Sequence, residues 1–516
     1  MNSLSTSTAF PAFSGLGLLA ILCSSGFGQD EPILPPSLTG EAKRSISITL
    51  EEAVRKALAE NVNMALERLT PELTSTTIDE AKAAFDPTST ASVNYRETST
   101  PRSSEQQAAD GRASSETRRF DAEVGVNKRL ATGTEVGLSA NTRNTQSTFN
   151  SFSDEYNTFT GITFTHPLLR NSGTNSQLFR IRSARKQTDA DWADFRHQVE
   201  NTIQSVHNAY YNLLFAYEEY RSRAKAVATA ERLMVDNQNR YELGTMTPLD
   251  VAQARSEVSQ RMSDLLLAEL TIQQNQTQLK RLIFLNFGDH VSDSLNLTDN
   301  FPEPEALPAA EYNIGNGLQF RNDYKALLVR AERSGLEIKF RRNQLYPQLD
   351  LTGRVGLQGR DSEFEESVQN ILETRDEDWG VGLSINIPWG VRAEKARLQR
   401  SVLQQEQLLL QIKDKEHEII QQITDAYHSA ENARLRHLNN RQAREISDRT
   451  AIAEEEKLKE GISTSFTVLQ LQRDATTART RELRSLVTYY QALIELRRSQ
   501  GLLLKDHGLV WDSTKS

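Results

Sequence analysis

Side chains that do chemistry are scarce in this chain: 516 residues hold eight histidines and one cysteine. A transition-metal site needs His, Cys or carboxylate ligands recurring at short, defined spacings. His166, His197, His207, His290 and His417 show no such spacing. Cys23 alone gives no material for a disulfide framework, a thiolate zinc site or a cysteine nucleophile. Serine esterase chemistry would show as a Gly-x-Ser-x-Gly elbow and phosphate chemistry as a glycine-rich loop, and neither occurs. The acidic run Glu454-Glu455-Glu456 makes a solvated helix face. No enzyme, cofactor or metal follows from these residues.

Composition narrows the class further. Apolar residues make up 37% of the chain, and with its 25 glycines the total is about 42%, below the roughly 45–50% of compact domains. Long, thin or wet architectures fit better. Sixty basic against 69 acidic residues give a net charge of −9, so no global positive field exists to hold nucleic acid.

Phe10 to Cys23 is an apolar run too short to span a membrane comfortably, followed by the small residues Ser24-Ser25-Gly26-Phe27-Gly28. Residues 1–28 therefore make an export signal, although Met1 to Thr8 carries no Lys or Arg. Leu22 stands where a lipoprotein signal needs a small residue. Beyond residue 29 no stretch of about 18 apolar residues remains, which excludes a transmembrane helix but not the short alternating strands of a β-barrel.

The chain is internally duplicated. Glu60-Asn61-Val62-Asn63-Met64-Ala65-Leu66 has a counterpart in Arg321-Asn322-Asp323-Tyr324-Lys325-Ala326-Leu327, at an offset of 261. Phe85-Asp86-Pro87 answers to Leu345-Tyr346-Pro347, and Gly161 to Pro167 answers to Gly382 to Pro388. Asn208-Ala209-Tyr210-Tyr211 and Tyr241-Glu242-Leu243-Gly244 recur as Asp425-Ala426-Tyr427-His428 and Leu458-Lys459-Glu460-Gly461, both at an offset of 217. Between its prolines the first half is 39 residues longer, and the excess lies around residues 100–150. The organisation expected is an N-terminal linker over 29–47, a first repeat over 48–286, an inter-repeat linker over 287–319, a second repeat over 320–504 and a tail over 505–516.

Each half reads helix, strands, long helix, tight turn, long helix. Period two marks the strands, over about 88–166 and 348–388: Val381, Leu383, Ile385 and Ile387 alternate with Gly380, Gly382, Ser384 and Asn386. Trp192, Phe195, Val199, Ile203, Val206, Tyr210, Leu213 and Tyr217 step by three and four, the narrow seam of a coiled coil. Ile412, Ile420, Ile423, Tyr427 and Ala430 trace a second seam. Nothing breaks the helix between Asn175 and Leu243, which would reach on the order of 100 Å.

The turns have specific chemistry. Gly244 suits a left-handed helix end, Thr247 a cap, Pro248 a first helical position and Asp250 a capping-box acid. Gly461 and Thr464 repeat the plan.

Signal, duplicated strand-plus-coiled-coil halves and paired glycine turns together resemble the TolC-type outer-membrane efflux proteins, over roughly Ile48 to Leu503. The stretches most like that family are Ile48-Thr49-Leu50-Glu51-Glu52-Ala53 with Ala57 to Asn61, and Arg240 to Thr245 with Leu249-Asp250-Val251. Glu460-Gly461 with Val468-Leu469 and Gln472-Arg473-Asp474 is the second version.

The resemblance implies a mixed α+β membrane protein, a homotrimer sharing a 12-stranded β-barrel in outer-membrane lipid and continuing as an α-helical coiled-coil tunnel across the periplasm. It implies an exit duct that works with a periplasmic adaptor (membrane fusion) protein and an inner-membrane transporter. By matching position, the adaptor-docking tips would be Gly244, Thr245, Met246, Thr247, Pro248 and Leu249, with Gly461, Ile462, Ser463, Thr464, Ser465 and Phe466. Where the family narrows its periplasmic pore mouth with aspartates, this chain has Thr467 and Gln470, leaving Asp250 in the first tip and Asp474 as the acids near that mouth. The alternating pieces Phe120–Val126 and Thr134–Ser139 of the insertion make an extra hairpin that either lengthens an extracellular loop or adds strands, and the reading favoured is a hairpin outside a conventional barrel of two strands per half. The competing class is a structural or adhesive periplasmic coiled coil with a soluble β domain. Cargo leaves no trace in the residues.

Overall fold

The computed structural model describes residues 44–302, 310–373 and 375–509. The export signal with Cys23, most of the N-terminal linker and residues 510–516 of the tail lie outside them.

The first elements are β1 (Ser45–Ile48), α1 (Leu50–Glu60) and α2 (Val62–Ala83). The Thr49-x-x-Glu52 run is a capping box: the Thr49 hydroxyl accepts from the Glu52 N–H at 3.2 Å, and the Glu52 carboxylate accepts from the Thr49 N–H at 3.0 Å. Asn61 caps α2 by accepting from the Met64 N–H at 3.1 Å, and its amide donates 2.8 Å to the Leu282 carbonyl. Then follow β2 (Thr88–Pro101), α3 (Ser104–Asp110), β3 (Ser114–Arg129), β4 (Glu135–Ser147), β5 (Tyr156–Pro167), α4 (Thr174–Gln177), α5 (Phe179–Glu242) and α6 (Pro248–Ile283). The unbroken helix expected from Asn175 is interrupted once, at Leu178.

The second half has β6 (Ser294–Leu297), α7 (Ala310–Phe320), α8 (Asn322–Asn343), β7 (Gln348–Asp361), α9 (Phe364–Glu373), β8 (Asp376–Asn386), α10 (Arg392–Lys459), α11 (Ser465–Ser499) and α12 (Leu503–Asp506). The helices α7 and α8 match α1 and α2 at a constant offset of 260, which corrects the 261 read from the sequence by one residue, so Asn61 answers to Arg321 and the repeated plan reaches back to Ala310, into the stretch expected as linker.

Six strands form one antiparallel sheet in the order β2-β3-β4-β5-β7-β8. The expectation of two strands per half is thereby corrected. The 39 extra residues supply a hairpin, β3 and β4, that lies between β2 and β5 in the ladder instead of outside it. Alternation alone could not place it, because membership of a sheet is decided by partners far along the chain.

The register sorts every strand into two faces. Val93, Val124, Leu138, Ile162, Val355 and Leu383 share one face, which is apolar in its middle on all six strands. Arg96, Arg119, Asp121, Glu123, Arg143 and Arg354 share the other. On the polar face the Arg354 guanidinium sits 3.8 Å from the Phe159 ring centroid and pairs with Asp378 at 2.8 Å. The amphipathic helix α9 closes on the apolar face at the end remote from the long helices. Its Ser367 hydroxyl lies 2.8 Å from that of Thr158, and Gly359 is a glycine because a Cβ would stand 2.0 Å from the Ser367 carbonyl oxygen. At the end next to the long helices the connection from β3 to β4, Leu130 to Thr134, is tight, whereas the connections at the remote end carry α3, α9 and a turn of 3-10 helix at Thr148–Asn150.

At 64 and 68 residues, α5 and α10 extend roughly 100 Å each. Two shorter helices cover each long one in succession. The start of α2 meets the end of α6 through the Asn61–Leu282 bond, and the start of α8 meets the end of α11, where a Cβ on Gly501 would lie 2.8 Å from the Arg321 backbone nitrogen. The first expected seam is the core: Phe195, Val199, Ile203, Val206, Tyr210 and Leu213 are buried, with Trp192 and Tyr217 partly so, against Ala53, Val54 and Ala57 of α1 and Ile272, Leu279 and Ile283 of α6. In the second seam Ile412, Ile423 and Ala430 are buried, but Ile419 takes the place expected for Ile420, which faces outward.

Between the halves, β1 and β6 pair in parallel, Ser45 opposite Ser294 through Ile48 opposite Leu297. Asp299 fastens this junction, its carboxylate accepting from the Leu50 N–H at 2.7 Å and the Tyr210 hydroxyl at 2.9 Å.

Buried His207 of α5 meets half-buried His507 near the C-terminal end, with Nε2 of one 3.1 Å from Nε2 of the other. Burial, aided by His507, pushes His207 down to about 3, and burial also lowers His507. A histidine depressed in the folded state binds its proton only on unfolding, so stability falls as pH drops below the ordinary value near 6.5. Acidification from pH 7 to 5 is expected to cost about 2 kcal/mol through His207. Unfolding of the detergent-solubilised chain at both pH values checks this, and His207→Gln should flatten that part of the profile.

Candidate docking tips and duct lumen

The hairpin α5–α6 turns where Gly244 adopts φ +74°, a conformation glycine takes without penalty. The Thr247 hydroxyl accepts from the Asp250 N–H at 3.3 Å, and the Asp250 carboxylate accepts from the Thr247 N–H at 3.0 Å and hydroxyl at 2.6 Å, with Pro248 next in the helix. These bonds hold the Asp250 carboxyl below the usual range. Its side chain is thus committed to the cap.

The hairpin α10–α11 repeats the turn with Gly461 at φ +79° and Thr464 accepting from the Thr467 N–H at 3.3 Å. No acid occupies the box position. Instead the Thr467 hydroxyl approaches that of Thr464 at 2.9 Å, while Gln470 is exposed. Of Asp250, Thr467 and Gln470, expected at the pore mouth, the first two turn back into their own helix caps.

The tips touch each other. Ser465, expected on the exposed surface, is buried: its hydroxyl donates 3.0 Å to Asn237 of α5 and lies 4.0 Å from the Met246 sulfur. Met246 is half-buried there. Ser463 is also half-buried and donates 2.6 Å to Glu454. Gly244, Thr245, Thr247, Pro248, Gly461 and Thr464 are exposed. The apolar side chains presented outward are Leu249 at 64%, Ile462 at 71% and Phe466 at 60% exposure, joined by Leu243 at 79%. Leu243 was not expected, and its only signal was a large aliphatic residue directly before the turn glycine.

Above the tips an ionic knot ties one hairpin to the other. Glu257 of α6 accepts from Arg261 at 2.7 Å and from both Nε, at 3.0 Å, and Nη2 of Arg473 on α11. Burial alone would raise the Glu257 carboxyl, but the two guanidinium groups hold it below its ordinary value. The knot borders a cleft of about 230 Å³ between the hairpins, lined by Lys225, Thr229, Asp448, Glu455, Gln472 and Arg479 among others. Among the described residues there is no cluster of three His, Cys, Asp or Glu able to hold a metal, and no helix is long and apolar enough to cross a membrane.

A family model described as outer membrane efflux protein matches residues 112–283 and 314–502, most of both halves. The fold resembles the Campylobacter jejuni CmeC outer membrane channel, 15% identical with a TM-score of 0.65 over 93% of each chain. It also resembles the open state of the Neisseria gonorrhoeae MtrE outer membrane channel, 17% identical with a TM-score of 0.60 over 92% of this chain and 97% of that one. The outer membrane protein VceC from Vibrio cholerae is 15% identical, with a TM-score of 0.60 over 88% and 96%. No curated protein matches the chain. The two-faced sheet, the paired hairpins on long helices and the match across both halves lead to one assignment: the chain belongs to the outer membrane efflux protein family, the TolC-type channels of the outer membrane.

Proposed function

We propose that this protein is the outer-membrane exit duct of an export system, a homotrimer whose sheets close one barrel and whose hairpins form a periplasmic tunnel. Cargo enters from an inner-membrane transporter through a periplasmic adaptor docked at the tips. The observation that carries this reading is the joining of a sheet apolar on one face and charged on the other to helices of roughly 100 Å. A barrel places such an apolar face in lipid and its polar face around water, and closure leaves no strand edge unpaired.

The exposed Leu249, Ile462 and Phe466, with Leu243, offer the apolar contact that a helical adaptor hairpin needs. The channel has no catalytic step; its chemistry is exclusion of lipid and passage of water.

Fractionation with a carbonate or urea wash, then sizing of the detergent-extracted species, tests the architecture. Retention in the outer membrane as a trimer is expected, and a wash-soluble monomer would instead favour a periplasmic coiled coil. For docking, Leu249→Asp with Phe466→Asp is expected to lower export at least tenfold while trimer yield stays the same. Undiminished export would remove the tips from the docking surface.

A further inference from the structure

The sheet has two free edges, β2 and β8, and three features of the chain say what covers them. Strand number is even, so β8 of one copy and β2 of another run antiparallel when their long helices point the same way. The stagger is the second. From Thr88 the register passes through Asn127, Gly137, Thr163 and Arg354 to Gly380, six residues short of the β8 end at Asn386. With the helix-side ends level, that is roughly 20 Å of rise across five gaps totalling about 24 Å, a tilt of about 40°. Barrel strands tilt by about 35–45°.

Charge and shape at the edges are the third feature. Preserving the two faces allows Val381 to stand opposite Val93, Trp379 opposite Tyr95 and Asp378 opposite Arg96. That register sets an aromatic pair on the lipid face and an acid against a base on the lumen face.

We infer that three copies close an 18-stranded barrel, β8 of each pairing with β2 of the next, and that the hairpin formed by β3 and β4 widens the outer-membrane section beyond the 12 strands of a four-strand plan. The inference rests on the duct reading above. Barrel diameter grows about linearly with strand number, so the bore is about 1.5 times wider and its cross-section roughly doubled. Barrels of about 16–18 strands leave an aqueous channel. The outer-membrane section therefore does not sieve cargo by size; that task falls to the helical tunnel and its tips.

Electron cryomicroscopy of the full chain in lipid nanodiscs counts the strands. Eighteen, with Val381 beside Val93 of the neighbouring copy, is the expected result. Twelve strands with residues 114–147 outside the lipid would overturn the inference and leave the duct standing, whereas the absence of any ring would overturn both. A variant lacking residues 103–147 joins β2 to β5 with strand direction kept. In planar bilayers the poly(ethylene glycol) diameter excluded from the extracellular mouth should fall by about 1.5-fold in that variant. An unchanged cut-off in an assembled trimer would overturn the wide barrel, and the strand count decides the matter where the variant does not assemble.

Discussion

Replacing Leu383 with arginine is expected to remove most of the protein from the outer membrane, whereas replacing the adjacent Ser384 with arginine leaves its yield nearly unchanged. Leu383 lies in the middle of the apolar run on β8, between Val381 and Ile385 on the same face. An arginine on a lipid-facing strand near the bilayer midplane costs about 2–4 kcal/mol, and every copy in an assembly meets that cost. Ser384 projects to the opposite face, directly across from Asp350, where a guanidinium finds both water and an opposite charge. Outer-membrane content and resistance of the oligomer to detergent measure the two outcomes. Equal behaviour of the two variants would contradict the assignment of faces on which the proposed barrel depends.

Glu257→Ala is expected to cost about 3 kcal/mol of stability and to loosen the tips. The Glu257 side chain is 1% exposed and that of Arg261 8%, so removing the carboxylate strands a buried guanidinium. Breaking a buried pair by deleting one partner typically costs about 3–5 kcal/mol. The lower figure applies because Arg473 is 57% exposed and regains water when released. Since Arg473 sits on the other hairpin, the damage should appear as faster proteolysis at 244–249 and 461–466, with the sheet unaffected. Because the Glu257 carboxyl is depressed in the folded state, its contribution is present above the ordinary carboxylate range and fades as pH falls below it. A melting temperature unchanged at pH 7 in Glu257→Ala would show that the knot is ornamental.

The features readable from sequence are those decided within a turn or two of chain. Gly244, Thr247 and Asp250 announce a left-handed end, a cap and a capping box because each acts on backbone atoms within three residues. The first helical seam is readable for the same reason: Val199, Ile203 and Val206 recur with the helix. What escapes is decided by distant partners. Ser465 looks like an ordinary opener of α11, and its burial depends on Asn237 and Met246 from the other hairpin. Ile419 and Ile420 are equally apolar neighbours, and only the helix facing them chooses which is inside. Phe120–Val126 declares itself a strand, yet its place between β2 and β4 is written in residues on either side of it. Leu243 on the tip has only its place before the turn glycine to mark it, since a single exposed leucine is otherwise indistinguishable from any other.

The parallel pair of β1 with β6 sets the order in which the molecule can be completed. Ser45 is made 249 residues before Ser294, the residue it pairs with, and everything in the first hairpin lies between them. Closing so long a loop is slow compared with forming the helices inside it. The hairpin α5–α6 is therefore complete in sequence while the first strand is still unclasped and the α5 core still lacks Tyr489, Tyr490 and Leu503 from the second half. That strand is secured only when the polypeptide has grown past Leu297, and the Asp299 clasp on Leu50 and Tyr210 follows two residues later. Chains that end between Ile283 and Ser294 carry every residue of the first hairpin and its Asn61–Leu282 tie, but neither the partner of β1 nor the Asp299 clasp.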